Sequence, residues 1–171
     1  MVADITRDGM YATPRIDSLT TVGASKSRPM KKGDVIITVS GNPGLPTILA
    51  IDACIHDGFV GLRDLSKEVL PEYLYFALLA LHSQHSSLSV GAVFKNLTTD
   101  QIRTFTIALP SLATQQGIVA EIEAEQALVA ANRELIVRFK QKIQNTLARV
   151  WGDDVLQYGT AREAVAAAAT G

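Results

Sequence analysis

In the C-terminal part of the chain, apolar residues recur at alternating spacings of four and three. This pattern predicts one long amphipathic helix with a heptad seam. We expect the helix to run over 111–151, with Ser111 or Thr114 as its cap, because no proline follows Pro110. The seam predicted to mediate dimerisation comprises Ile118, Ile122, Val129, Asn132, Ile136, Phe139, Ile143 and Val150.

The length of this helix indicates that it needs a partner. A helix of about 38 residues extends roughly 57 Å at a rise of 1.5 Å per residue, which is more than a small domain covers. Asn132 is a polar residue in the seam, and such a residue can fix register and partner number. Two arrangements stay open: the helix packs along its own domain, or it packs along a partner helix or another subunit, which we expect to be a second copy in a homodimer. The second is favoured because ordinary helices are much shorter.

The residues before the helix alternate between short apolar runs and turn signals. Runs rich in β-branched residues predict strands at 35–39, 47–51, 55–62 and 105–109. Pro71 is expected to start a helix over 71–81, followed by a polar connection at 83–89, and Thr98 with Gln101 forms a capping box for a short helix. The expected fold class is α+β. The expected domains are a mixed-sheet domain over 1–110, a long coiled-coil helix over 111–151 and an alanine-rich tail over 152–171.

Composition narrows the class of protein. The chain has 171 residues, of which 47% are hydrophobic and 19% charged, so a buried core is expected. Its net charge of −1 gives no bulk basic character, which leaves room only for local basic patches. The single cysteine, Cys54, cannot form an internal disulfide, and its apolar surroundings suggest a buried thiol. We find no signal peptide or membrane-spanning run, and therefore expect a cytoplasmic protein without membrane contact.

The motifs of catalysis are missing from the sequence. There is no phosphate-binding loop or dinucleotide fingerprint, so no cofactor is expected. The loop 40–44 lacks the aromatic residue that an adenine methyltransferase stacks on its flipped base. His82 and His85 have metal-ligand spacing but no acidic or thiol partner nearby in sequence, which disfavours a metal site. His56 and Asp57 fit either a general-base pair or a hydrogen-bonded strand end, and the strand end is favoured.

The remaining polar positions are typical of recognition. Amide and hydroxyl side chains can bind base edges, and lysine and arginine can bind phosphates. Glycines beside these side chains let backbone approach a ligand closely. A solvated loop for the basic cluster, and a plain hairpin turn at 41–44, stay open as alternatives. The candidate DNA contacts are Lys26, Arg28, Lys31, Lys32, Thr38, Ser40, Asn42, Lys95 and Asn96.

Four segments, taken in order, resemble the specificity subunit of type I restriction-modification enzymes. They are GDVIITVSG at 33–41, HDGF at 56–59, PEYLY at 71–75 and LPSLATQQGIV at 109–119. The resemblance implies a target recognition domain that reads one half of a split site in double-stranded DNA. It further implies a helix that packs antiparallel to a second such helix and sets the half-site spacing. The modification subunits, docked by this protein, would carry the methyltransferase chemistry, and the restriction subunit would join indirectly.

The sequence departs from that family in three ways. It has one recognition domain instead of two, and the domain is expected to be incomplete at its N-terminus. Ser111, Thr114 and Gly117 replace the more usual proline, glutamate and arginine at the start of the helix. Two alternatives remain: a recognition domain detached from a fused methyltransferase-endonuclease, and a coiled-coil assembly protein that does not bind DNA.

Overall fold

The computed structural model describes residues 9–14, 18–88 and 97–151. Its strands are β1 (Tyr11–Ala12), β2 (Arg28–Met30), β3 (Val35–Thr38), β4 (Pro46–Leu49), β5 (Ala53–Ile55) and β6 (Phe59–Leu62). Its helices are α1 (Thr21–Ser25), α2 (Pro71–Leu88), α3 (Thr99–Arg103) and α4 (Leu112–Trp151).

A mixed sheet forms the centre of the domain that precedes α4. Its four strands have the order β1-β4-β3-β6, with β3 antiparallel to β4 and β6, and β1 parallel to β4. A separate antiparallel pair consists of β2 and β5, with Arg28 opposite Ile55 and Met30 opposite Ala53. The α+β class and the mixed sheet predicted from the sequence are confirmed.

The central strand β3 is buried on both faces, which explains its unbroken apolar sequence. Successive side chains of a strand point to opposite faces, so Ile36 lies on the face away from Val35 and Ile37. Ile36 joins a core cluster whose other members are Met30, Leu49, Ile55 and Phe59. Full burial of one such side chain contributes about 1.5–3 kcal/mol to the free energy of folding. Helix α2 packs against β4 and β3.

Two predicted elements differ from the structure around the sheets. Residues 55–62, predicted as one strand, form two strands in different sheets, because the chain turns after Ile55 and the Phe59 N–H donates to the carbonyl of His56 at 3.2 Å. The predicted polar connection 83–89 is also wrong, since α2 continues to Leu88. The thiol of Cys54, expected to be buried, is partly exposed.

Residues 105–109, predicted as a strand, do not join either sheet. The segment has the alternating pattern of a strand, but it pairs with none of the described strands. A side chain secures it instead: the hydroxyl of Tyr73 donates to the carbonyl of Ala108 at 2.7 Å. Just before it, the capping box of Thr98 and Gln101 on α3 is present as predicted.

The long helix α4 is confirmed at 40 residues, or about 60 Å at 1.5 Å per residue. Ser111 caps it, because its hydroxyl accepts a hydrogen bond from the backbone N–H of Thr114 at 3.3 Å. Compact packing divides the chain into two units, Met1–Glu121 and Ile122–Gly171, so the division falls inside α4. No helix within the described ranges is long and apolar enough to cross a membrane.

Gln115 holds the first turns of α4 in the first unit. Its side chain is fully buried, at 0% exposure. The amide oxygen accepts from the Leu70 N–H at 2.8 Å, and the amide nitrogen donates to the carbonyls of Glu68 at 2.7 Å and Pro110 at 2.8 Å. One side chain therefore satisfies three backbone groups from the connection before α2 and from the residue that precedes Ser111.

The seam of α4 is exposed where it belongs to the second unit. Val129, Ile136, Phe139 and Ile143 have exposed fractions of 48%, 54%, 63% and 47%. Exposed apolar side chains that recur along one face of a helix are typical of an interaction surface.

We predict that Gln115→Ala lowers the free energy of unfolding by about 2–3 kcal/mol, because it leaves buried backbone groups unpaired. Gln116→Ala is the matched control: the same change on the exposed neighbouring residue should stay within about 0.5 kcal/mol. Guanidinium denaturation followed by circular dichroism measures both. Equal effects of the two substitutions would contradict the role of Gln115.

Candidate nucleic-acid interface

A tight loop follows β3, and main-chain hydrogen bonds and the Thr38 hydroxyl hold it together. The Gly44 N–H donates to the carbonyl of Thr38 at 2.7 Å, and the Asn42 N–H to that of Ser40 at 3.0 Å. Gly41 and Gly44 have φ angles of 77° and 91°, a region that side chains disfavour. The imidazole of His82 on α2 would lie 3.1 Å from a Cβ at Gly44, so it supports the loop from beneath.

Thr38 faces inward, which corrects its assignment as a DNA contact. Its side chain is fully buried, its hydroxyl donates to the carbonyl of Asn42, and it accepts from the Leu45 N–H at 3.0 Å. The hydroxyl is therefore used inside the loop. Ser40 and Asn42, by contrast, are partly exposed.

A second turn lies beside this loop, at residues 56–58. The Gly58 N–H donates to Nδ1 of His56 at 2.9 Å, and the Val39 N–H donates to the carbonyl of Gly58 at 2.9 Å. The ring of His56 meets Phe59 edge-on, with centroids 4.9 Å apart. This is the hydrogen-bonded strand end that the sequence favoured over a general-base pair.

A third segment meets the same place. The Leu97 N–H donates to the carbonyl of Val39 at 3.0 Å, which anchors the chain beside the loop after β3. Together the three segments surround an open concavity of about 280 Å³, lined by Val39, Ser40, His56, Asp57, Gly58 and Leu97. Lys95 and Asn96, the other predicted recognition residues, immediately precede Leu97 in sequence but lie outside the described residues.

The basic cluster is exposed but divided between the two ends of β2. Lys26 and Arg28 lie at the end nearest His56, because Arg28 pairs with Ile55. Lys31 and Lys32 follow the other end, in a turn that two carboxylates clamp. Asp34 accepts from the Lys31 N–H, and Asp52 accepts from the Lys32 N–H, both at 2.8 Å.

These carboxylates accept from backbone N–H groups and not from the side chains of the basic cluster. Within the described ranges, none of its four side chains forms an ion pair. The three residues of β2 that separate the two pairs of basic residues extend about 10 Å at 3.3 Å per residue. This distance is close to the rise of about three base pairs of duplex DNA.

The concavity brings together hydroxyl, imidazole and carboxylate groups, from Ser40, His56 and Asp57. In the part of the chain that the structure describes, no three histidine, cysteine or carboxylate side chains come together to hold a metal ion. The sequence missed His56 and Asp57 as members of the concavity. A signal was present, since the pair precedes a glycine directly after an apolar run, as Ser40 precedes Gly41.

Comparison with known proteins identifies the family. Residues 4–138 match the family described as the type I restriction modification DNA specificity domain. The chain belongs to this family. The resemblance noted from four sequence segments is thereby confirmed, and the matched range contains the sheet domain and most of α4.

Individual relatives agree with that family. The MjaX type I restriction enzyme specificity subunit of Methanocaldococcus jannaschii is 29% identical over 117 residues, which cover 67% of this chain and 28% of that protein. A chain in a structure concerned with assembly and conformational transition of the type I R-M system has a TM-score of 0.64 at 26% identity, covering 84% of this chain and 34% of that chain.

The HsdS subunit from Thermoanaerobacter tengcongensis shares the fold, with a TM-score of 0.61 at 24% identity, over 89% of this chain and 36% of its own. The specificity domain described here therefore spans about a third of the length of these relatives, at 28%, 34% and 36%.

We predict that Thr38→Val destabilises the loop by about 1–3 kcal/mol, because the Leu45 N–H and the Asn42 carbonyl lose their partner. Thr38→Ser keeps the hydroxyl and should cost only about 0.8 kcal/mol for the lost methyl group. Urea denaturation measures stability, and amide hydrogen exchange at Leu45 measures the loop itself. Exchange at Leu45 that is as slow in Thr38→Val as in Thr38→Ser would refute this role of the hydroxyl.

Proposed function

We propose that this chain is a DNA-specificity module of a type I restriction-modification system, reading one half of a split site in double-stranded DNA. The single observation that carries the proposal is the concavity where three segments meet, in a member of the specificity-domain family. The module itself has no catalytic role. It docks modification subunits, which methylate DNA in the cytoplasm, and through them it engages the restriction subunit.

In this proposal, bases and phosphates are bound by different side chains. Ser40 and Asn42 present hydroxyl and amide groups to base edges. In the segment before Leu97, Asn96 adds an amide and Lys95 an ammonium group. The basic residues Lys26, Arg28, Lys31 and Lys32 bind phosphates along one strand. Base contacts carry specificity, and phosphate contacts carry affinity that depends on salt.

The exposed seam of α4 supports antiparallel pairing with a second copy. Between 47% and 63% of the surface is exposed at Val129, Ile136, Phe139 and Ile143. Pairing with a second copy would remove this apolar surface from water. A two-fold symmetric dimer places the same patch of each chain against the other. Ile118, Ile122 and Val150 extend the seam, and Asn132 lies near its middle.

The charges of α4 favour the antiparallel orientation. Acidic residues lie near its start, at Glu121, Glu123 and Glu125, and basic residues near its end, at Arg138, Lys140, Lys142 and Arg149. Antiparallel pairing puts the acidic part of each helix beside the basic part of the other, whereas parallel pairing puts like charges together. The helix dipole does not account for this distribution, because its effect falls off within the first and last turns.

We predict that replacing Ile136 and Phe139 by Asp leaves the sheet domain folded but makes the chain monomeric. Sedimentation at tens of micromolar should show a dimer for the natural chain and a monomer for the variant, with circular dichroism as the check on folding. Val137→Asp is the control, because Val137 is equally apolar and 66% exposed but lies off the seam. If the natural chain sediments as a monomer, the proposed pairing is wrong.

The test of the function itself is co-purification with the modification subunits of the same genome, followed by mapping of methylated bases. A homodimer should direct methylation to an interrupted palindrome, since each copy reads one half-site. The purified chain alone should transfer no methyl group from S-adenosylmethionine. Methyl transfer by the chain alone, or a methylation pattern independent of this chain, would count against the proposal.

The same complex, bound to duplexes carrying the mapped site, separates the two kinds of contact. Alanine in place of Lys26, Arg28, Lys31 or Lys32 should flatten the salt dependence of binding by about one unit each, on every sequence. Asn42→Ala should cost roughly 1–3 kcal/mol on the mapped site only, and we expect the same of Asn96→Ala. Lys67→Ala, an exposed lysine outside the cluster, is the control and should leave the slope unchanged.

A further inference from the structure

We propose that His56 and Asp57 determine specificity at one base pair of the site. In this inference, which rests on the proposed function, the carboxylate of Asp57 accepts from the exocyclic amino group of cytosine or adenine. His56 donates its Nε2–H to an acceptor on the same or a neighbouring base.

The turn selects the tautomer of His56. Its Nδ1 lies 2.9 Å from the Gly58 nitrogen and 3.3 Å from an oxygen of Asp57. One ring nitrogen cannot serve both, because accepting from Gly58 needs a lone pair and donating to Asp57 needs a proton. The contact with Gly58 is shorter and its donor is a backbone N–H, which always carries a proton. Nδ1 is therefore the acceptor, and the proton of the neutral ring lies on Nε2.

Packing fixes the position of the ring. Phe59 meets it edge-on on one side. A Cβ at Gly58 would lie 2.5 Å from Cε1 of His56 and 3.1 Å from the hydroxyl of Ser40, so the missing side chain leaves the space that both occupy. The His56 side chain is still half exposed, at 50%. The concavity thus holds an oriented donor beside a candidate recognition loop, and ordering it on binding costs little conformational entropy.

The negative charge of Asp57 favours contact with bases over contact with phosphates. Its carboxylate is fully exposed, and one carboxylate oxygen lies 3.3 Å from Nδ1 of His56. With the ring proton on Nε2, no proton lies between these two atoms, so the carboxylate is available to a donor on DNA. Phosphates repel a carboxylate, so Asp57 weakens binding to any duplex that offers it no donor. Base amino groups in the major groove are such donors, and carboxylates pair with that of cytosine. Asp57 therefore contributes discrimination where the basic cluster contributes affinity.

Two substitutions distinguish a role in base recognition from a role in folding. His56→Asn retains an acceptor for the Gly58 N–H, because an asparagine oxygen binds the backbone two residues on, but it removes the Nε2–H. Asp57→Ala removes an exposed carboxylate that supports no backbone group. Glu68→Ala is the control, since it removes an exposed carboxylate from outside the concavity. Each variant is assembled with the modification subunits, its methylated bases are mapped, and its thermal stability is measured.

We expect His56→Asn and Asp57→Ala each to relax the mapped motif at one base pair while melting near the natural protein. Discrimination between mapped and unrelated duplexes should fall by roughly ten- to a hundredfold. For Asp57→Ala the loss should come with equal or tighter binding to the unrelated duplex, an outcome that a purely structural role does not produce. Glu68→Ala should leave the motif and the discrimination unchanged.

The failures are distinguishable. A mapped motif that stays sharp at every position in both variants overturns this inference and leaves the proposed function standing. If the natural chain directs methylation to no motif, the proposed function and the inference both fall. If His56→Asn loses stability, Asp57→Ala decides alone, because the carboxylate of Asp57 is fully exposed and binds no backbone group of the described chain.

Discussion

The buried amide of Gln115 is the interaction on which the architecture most depends. The segment that leads from α3 into α4 has no sheet partner, so side chains must hold it in place. Gln115 does this from within α4, and Tyr73 does it from α2 through Ala108. A buried amide with every donor and acceptor satisfied tolerates few alternative geometries, since any shift leaves a polar group unpaired in the interior. The hydrogen bonds of Gln115 therefore fix the geometry of the first turn of α4 within the first unit.

The buried strand β3 organises the rest of the first unit in a similar way. Both faces are covered, so its register cannot slip without moving apolar side chains into the wrong layer. Where the strand ends, Thr38 turns its hydroxyl inward and the loop carries its polar groups outward. The carbonyl of Gly58 and the N–H of Leu97 both bind Val39, so a single residue gathers two further segments. The position of the candidate site therefore depends on the contacts made at the end of β3 by Thr38 and Val39.

Sequence patterns predicted those elements whose evidence is local. β3 has an apolar run, α4 has a heptad seam, and the capping box at Thr98 marks α3. The two strand predictions that were wrong, at 55–62 and 105–109, show what the local pattern does not predict. Residues 105–109 alternate like a strand, but a strand also needs a partner strand, and only the fold shows that this segment joins neither sheet. At 55–62 the turn chemistry of Asp57 and Gly58 interrupts an apolar run that otherwise looks continuous.

The site was predicted in part for the same reason. Ser40 and Asn42 stood out because glycines flank a polar tip, and the structure leaves both partly exposed. Thr38 has the same chemistry, but the pleat of β3 directs it inward, and alternation across a strand whose residues are all buried cannot be read from hydrophobicity. His56 and Ser40 line the same concavity because β6 pairs with β3. This pairing joins strands that are separated in sequence, so no local motif predicts it.

Polar residues in the seam of α4 affect how an unpaired copy behaves in solution. The alternating spacing of four and three places Glu125, Asn132 and Thr146 in the seam, and all three are exposed, so they divide its apolar residues into short stretches. Short apolar stretches bounded by polar groups resist indiscriminate aggregation. In the proposed dimer, the same polar residues would weaken the pairing of the two helices. The polar seam residues therefore limit nonspecific association at a cost to the strength of the proposed pairing.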